Sequence, residues 1–252
     1  MSMRAANILA VRYAPLVLIA VGWELAARAG IVSELALPPL STVLVAWWKM
    51  FISGELIVNG VSSLYRTVAG LGLAIVVGAL LGIFMAWFKP VNALLAPIVE
   101  VFYPLPKSAL IPVCAIWLGF GDGSKILLIF LGCMIPVTIG AYNGARGSDQ
   151  ALVWSARSMG ASRMRTLMDV VAPSALPEIL SGARISLAIS FVLLVSSELL
   201  VSRQGLGYMI GFLGDGGAYD AMFAVVLTVA LLGFIADRVY QLLMRKALAW
   251  RE

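Results

Sequence analysis

Charged residues are widely spaced along this chain, and the stretches between them are apolar for about the length of a bilayer-crossing helix. Thr67 to Phe88 is a run of 22 residues without a charge, and Ile126 to Ala145 is another of 20. Each is long enough to span the hydrocarbon as a helix, which needs about 20 residues. Four further runs carry a few ionisable groups: Tyr13 to Ala29 with Glu24 and Arg28, Asn92 to Leu118 with Glu100 and Lys107, Pro177 to Val201 with Glu178, Arg184 and Glu198, and Ala221 to Leu243 with Asp237 and Arg238. The pattern predicts an all-α, polytopic membrane protein of six transmembrane helices, with residues 1–252 forming one domain.

A second periodicity lies inside the second span, where Gly70, Ala74, Gly78, Gly82 and Ala86 recur every fourth residue. Small residues at that spacing form a smooth ridge along one helix face. In lipid, where no hydrophobic force draws helices together, such a ridge permits the close approach on which packing depends. Gly140 and Gly144 repeat the device in the fourth span.

Composition supports the same solvent. Of 252 residues, 62% are hydrophobic and 12% charged, against roughly a quarter charged in an ordinary soluble domain. A soluble enzyme, a disordered chain and a collagen-like chain are excluded. There is no histidine, and the two cysteines, Cys114 and Cys133, lie in apolar stretches, so neither a zinc site nor a disulfide framework is expected. The net charge of +5 would fit nucleic acid only if Lys and Arg clustered on one wetted face; they stand instead at the ends of apolar runs. With the amino terminus inside, the inner connections hold Arg4, Arg12, Lys89, Arg146, Arg157, Arg163, Arg165, Arg245, Lys246 and Arg251, and the outer ones hold only Lys49, Lys125 and Arg203. Both termini are therefore expected in the cytoplasm. A rival is that the first run is a cleaved signal, with Ala27-Arg28-Ala29 imitating a cleavage site.

The longest polar inside connection is Asn143 to Ser174. Ser148-Asp149-Gln150 reads as a helix start, followed by two short helices separated at Gly160 and ending at Pro173. Ala151, Trp154, Ser155, Ala156 and Met159 give the first helix a small, partly apolar face beside Arg157. That face suits docking to another protein, and it equally suits an amphipathic helix resting on lipid headgroups.

The run Trp154-Ser155-Ala156-Arg157-Ser158-Met159-Gly160, then Val170-Val171-Ala172-Pro173, resembles the cytoplasmic "EAA" loop of binding-protein-dependent ABC importer permeases. Ala156, Gly160 and Pro173 fall in register with that motif. Trp154 stands where the family has Glu, Ser155 replaces the first Ala, and Ala172 replaces Leu. Pro104 to Pro112, Trp117 to Lys125, Ala172 to Pro177, and Glu198 followed by Gly205-Leu206-Gly207-Tyr208 are similar, in that order, to the nitrate, sulfonate and taurine branch of the family.

The resemblance implies a type I ABC importer-like transmembrane domain in a bacterial cytoplasmic membrane, with its coupling loop at about 146–174. It also implies a homodimer that docks two copies of a separate ATPase and receives an extracytoplasmic binding protein. ATP and Mg would then sit on the partner ATPase, and no cofactor on this chain. The solute would be a small organic anion such as a sulfonate or taurine, or a nitrate-like ion. On this resemblance the ATPase-coupling candidates are Trp154, Ser155, Ala156, Arg157, Met159, Gly160, Arg163 and Pro173.

Ionisable groups inside a bilayer are functional candidates because an unpaired charge there is costly. Glu100, Pro104, Pro106, Lys107 and Glu198 are the candidates for a translocation pathway. Two readings are open for Glu100 and Lys107, seven residues apart beside the helix-disrupting prolines: a route lined by a broken helix whose lysine meets an anion, or a pair that satisfies itself. Glu198 and Arg203, ahead of a glycine-rich connection, read as a gate or as a solvated ion pair. The rival functions are an ion-coupled transporter or channel and an intramembrane enzyme. For the latter no catalytic residue or metal ligand set can be named.

Overall fold

The computed structural model describes residues 3–33 and 35–251, with side chains described from residue 13 to residue 250 within those bounds. Arg4, Arg12 and Arg251, counted above for orientation, lie outside the described side chains. Eleven α-helices follow one another among the described residues: α1 (Met3–Arg28), α2 (Leu40–Ile52), α3 (Glu55–Trp87), α4 (Lys89–Phe102), α5 (Ile111–Leu118), α6 (Asp122–Arg146), α7 (Gln150–Ser158), α8 (Arg163–Thr166), α9 (Ala172–Val201), α10 (Leu206–Asp215) and α11 (Tyr219–Ala247).

Against the six spans expected, the described residues hold four helices long and apolar enough to cross a membrane: α3, α6, α11 and a continuous 39-residue helix from Arg163 to Val201 that contains α8 and α9. The third expected span is a broken one. Lys89–Phe102 and Lys107–Leu118 meet that description only together, and they are bent by 95° where Tyr103 to Pro106 leave the helix. Pro104 and Pro106 supply no N–H to carry an α-helix through. The first expected span, Tyr13 to Ala29, coincides with α1 from Tyr13 to its end at Arg28.

The sequence places a helix end at Pro173, and the structure corrects this. Leu167–Val171 forms a π turn in which the Ala172 N–H bonds the Leu167 carbonyl, and Pro173 occupies the first turn of α9. The wider turn relieves the clash that a proline ring makes with the carbonyl four residues back. Ser174 Oγ donates to the Val170 carbonyl at 2.7 Å. The helix therefore passes both Pro173 and Pro177 unbroken.

Packing centres on α6, which lies parallel to α3 on one side and antiparallel to α9 on the other. The small-residue ridge of α3 faces α6. A Cβ added at Gly70 would lie 2.8 Å from Ile129 Cβ, and one at Gly78 the same distance from the Met134 carbonyl oxygen. From the other flank, Gly140 and Gly144 of α6 admit Glu178 and Ala175, while Gly182 of α9 admits Pro136. Backbone contact at this range is what small residues provide in lipid. Cys133 and Ser186 seal the α6–α9 seam with a reciprocal pair, Sγ to the Ser186 carbonyl at 3.2 Å and Oγ to the Cys133 carbonyl at 2.8 Å. A separate apolar cluster joins α2, α10 and α11 through Val43, Met50, Leu206, Met209 and Val225. The bundle thus has a loop end, where α3 and α6 finish and α9 begins, and a far end, where α3 and α6 begin and α9 finishes.

Candidate functional site

The loop end presents a short, well-capped helix. Asp149 accepts the Ala151 N–H at 2.8 Å as the N-cap of α7, so the predicted start is where the structure has it. α7 ends at Ser158, the turn passes through Gly160 at φ +84°, and Ser162 caps α8 by accepting the Arg165 N–H. A positive φ at that value favours glycine because it lacks a Cβ; space is not the reason, since nothing lies within 4 Å of where a Cβ would be. Val153, Leu167 and Val171 hold the loop to the bundle as buried side chains. Trp154, 66% exposed, and Met159, 80% exposed, point away from it. Ala156, Met159 and Gly160 line a recess of about 390 Å³ with Thr166, Asp169 and Val170. Ser155 is exposed beside them.

Two of the candidate contacts face the protein instead. Arg157 places its guanidinium 5.5 Å from the centroid of the Trp87 ring, and Arg163 lies 5.9 Å from the same ring and 5.1 Å from that of Phe88. Arg163 Nη2 also donates to the Trp87 carbonyl at 3.0 Å. Pro173 belongs to the helix and not to a loop terminus.

Glu100 and Lys107 do not pair with each other. Among the described residues Glu100 enters no ion pair. Lys107 Nζ donates to three backbone carbonyls at the break, those of Phe102 at 2.5 Å, Leu105 at 2.7 Å and Tyr103 at 3.2 Å. An ammonium has three protons to give, and here each has an acceptor. The lysine braces the bend. The two residues line neighbouring cavities: Glu100 faces one of about 500 Å³ with Tyr142 and Asn143, and Lys107 one of about 540 Å³ with Glu178 and Asn143. Tyr103, Ile139 and Asn143 belong to both walls. Pro104 and Pro106 shape the bend without lining either cavity.

Glu198 lies elsewhere, and of the two readings open for it the solvated ion pair with Arg203 is excluded. Its side chain is 0% exposed, and Arg203 stays on the surface outside the pair. Arg66 Nη1 meets Glu198 Oε1 at 2.6 Å while Arg66 Nε meets Asp122 at 2.7 Å. Ser63 Oγ donates to the carboxylate, and the Gly207 N–H donates to Oε2 at 2.9 Å. Gly205 turns at φ +118° directly over the carboxylate. Nearby, Lys125, likewise 0% exposed, gives its ammonium to the carbonyls of Phe120 and Val201. Glu198 borders neither cavity; it fastens α9 to α3 and to the start of α10 at the far end, and Arg66 carries the link on to Asp122 of α6. Arg66 and Lys125 were missed as interior residues because each stands beside an apolar run, where a long cation ordinarily reaches water. Arg184 of α9 and Asp237 of α11 pair at 2.9 Å.

Comparison with known proteins places this architecture. Residues 74–248 match the family model described as "Binding-protein-dependent transport system inner membrane component". The chain is 36% identical over 239 residues to the taurine transport system permease protein TauC of Escherichia coli (strain K12), a match covering 93% of this chain and 86% of that protein. It is also 36% identical to the putative aliphatic sulfonates transport permease protein SsuC of Bacillus subtilis (strain 168), covering 94% of this chain and 86% of that one. The membrane fold superposes on a chain from inward-facing conformations of the MetNI methionine ABC transporter with TM-score 0.66 at 20% identity, covering 78% of this chain and 97% of that one. With its spanning helices, its loop and these relatives taken together, this chain belongs to the binding-protein-dependent transport system inner membrane components and is a multi-pass permease of the ABC importer type.

Proposed function

We propose that this permease carries small aliphatic sulfonates, taurine among them, inward through a route that includes the two cavities beside α4, driven by a separate ATPase docked on the 146–174 loop. The observation that carries the reading is the loop itself. A capped helix at the end of the bundle holds Trp154 and Met159 out of the protein beside an open recess, which is a surface made to be covered. The similarity to permeases whose names specify taurine and sulfonates supports the substrate class. The excess of Lys and Arg at the loop end supports a cytoplasmic loop and cytoplasmic termini in a bacterial inner membrane.

In this reading a solute-binding protein delivers to the far end. A second copy of the chain closes the cavities, which open beside α4, a helix with no buried residue of its own. ATP and Mg bind to the ATPase, and this chain holds no cofactor and catalyses no covalent step. Closure of the ATPase pair displaces the two loops, the helices rock, and the far-end opening gives way to a loop-end one.

The test is transport into proteoliposomes that contain the permease and ATPase, with the binding protein added outside. Labelled taurine should accumulate only when ATP is enclosed and the binding protein is present. Accumulation driven by an ion gradient without ATP would overturn the reading in favour of an ion-coupled carrier.

A further inference from the structure

Trp87 is the last residue of α3, and at Phe88 the backbone turns away (φ −112°, ψ 109°) into α4. α3 must end here, since Pro90 has no N–H to return to its last turn. The last carbonyls of a helix lack partners within it and form the negative end of its dipole, where a cation is favoured. Arg163 fills that place through its bond to the Trp87 carbonyl. The ring of the same residue takes guanidinium contacts from Arg157, in the last turn of α7, and from Arg163, in the first turn of α8. The two short helices on either side of the Gly160 turn therefore both grip one side chain at the α3–α4 junction. Among the described residues, Trp87 Nε1 is the one buried side-chain nitrogen or oxygen without a hydrogen-bond partner. The ring is thus held through its aromatic system and its backbone, and its own N–H contributes nothing.

We infer that Trp87, clasped by Arg157 and Arg163, is the positioning element that transmits loop displacement into α4, and so into the wall formed by Glu100 and Tyr103. The proposal rests on the reading of the loop as the ATPase contact. α4 suits the role mechanically: within this chain it is at most half-buried along its length, so displacement of either attached end meets little resistance from its own packing. One end is the Trp87 junction, and the other is the bend braced by Lys107. Arg157 and Arg163 then act inward through Trp87, while Trp154, Met159 and the recess face the ATPase.

The test uses the full complex of permease, ATPase and binding protein, with a nitroxide on Leu94→Cys, an exposed α4 position; both native cysteines are buried. In the unmodified chain a non-hydrolysable ATP analogue should change the label's spectrum. Arg163→Gln, an exposed position whose change leaves the bundle intact, should keep ATPase co-purification at the unmodified level, abolish that spectral change, and lower labelled taurine uptake per ATP by roughly five- to tenfold. Trp87→Leu should do the same, Trp87→Phe should retain function because the ring is kept, and the double change Arg163→Gln with Trp87→Leu should be no worse than either alone. Loss of ATPase co-purification in Arg163→Gln would show that this arginine contacts the ATPase directly and would overturn the proposal. So would an unaltered spectral response in both Arg163→Gln and Trp87→Leu. An unmodified chain that binds no ATPase defeats the underlying reading of the loop instead, and is distinguished by that measurement alone.

Discussion

At the far end of the bundle, Arg66 and Lys125 are sunk in the protein with every acceptor supplied by it. At the loop end, Arg157 and Arg163 lie on the surface against aromatic rings. Both ends spend cations to fix a junction, yet the energies differ in kind. A buried charge has no water to return to, so removing its partner costs about 3–5 kcal/mol. An exposed cation–π contact is worth about 0.5–1 kcal/mol and can be remade elsewhere. The Arg66–Glu198 junction is therefore costly to break within the chain, whereas the contacts at the loop end cost little to disturb.

The largest effect is expected from Arg66→Leu. It leaves the Glu198 carboxylate with Ser63 and a backbone N–H but without its ion-pair partner, and should destabilise the purified protein by about 3–5 kcal/mol, read as a lowered melting midpoint in detergent. Arg66→Leu combined with Glu198→Leu should recover part of the loss. A midpoint for Arg66→Leu equal to that of the unmodified chain would dissolve the contrast between the two ends.

A middle value is expected from Lys107→Met, which strips three carbonyls of their donor at a partly exposed bend, for a cost of about 1–3 kcal/mol. Adding Glu100→Gln should not restore stability, because Glu100 is not its partner. Rescue by that double change, in the same melting assay, would show that the two residues pair after all.

The smallest effect on stability, and the sharpest test of the contrast, belongs to Trp154→Ser. A side chain that touches so little of its own protein should change stability by less than about 0.5 kcal/mol, while ATPase co-purification falls severalfold. A large loss of stability would mean that Trp154 supports the bundle.

What the sequence made legible follows the range of each interaction. The spans of α3 and α6 could be read because a charge-free run of bilayer length is a local signal. The same holds for the α7 start at Asp149, whose cap lies two residues from its donor, and for the small-residue ridge. Glu198 stood out as an intramembrane acid, but the nearest cation in sequence was Arg203, whereas its partner Arg66 lies 132 positions away. Pro104 and Pro106 announce a break without its angle, and Lys107 stays open in the sequence between a pathway charge and a partner of Glu100, because nothing there shows a backbone folding back on it. Pro173 read as a terminus because a proline normally is one; the π turn that carries the helix past it has no sequence signature of its own.

That π turn has a consequence for phase. From Arg163 to Val201 the chain is one rod of 39 residues, roughly 58 Å long at 1.5 Å per residue. Its lower part sets Arg163 on Trp87, and its upper part sets Glu198 on Arg66. An α-helix advances about 100° per residue, so the extra residue that a π turn accommodates fixes the clock angle between those two attachments. Deleting one residue among Leu167–Val171 would leave the rod helical yet rotate one end against the other by about that angle, so that only one of the two grips could close at a time. The two ends of this permease are kept in register by a single irregular turn, and a chain that lost it would have to choose between them.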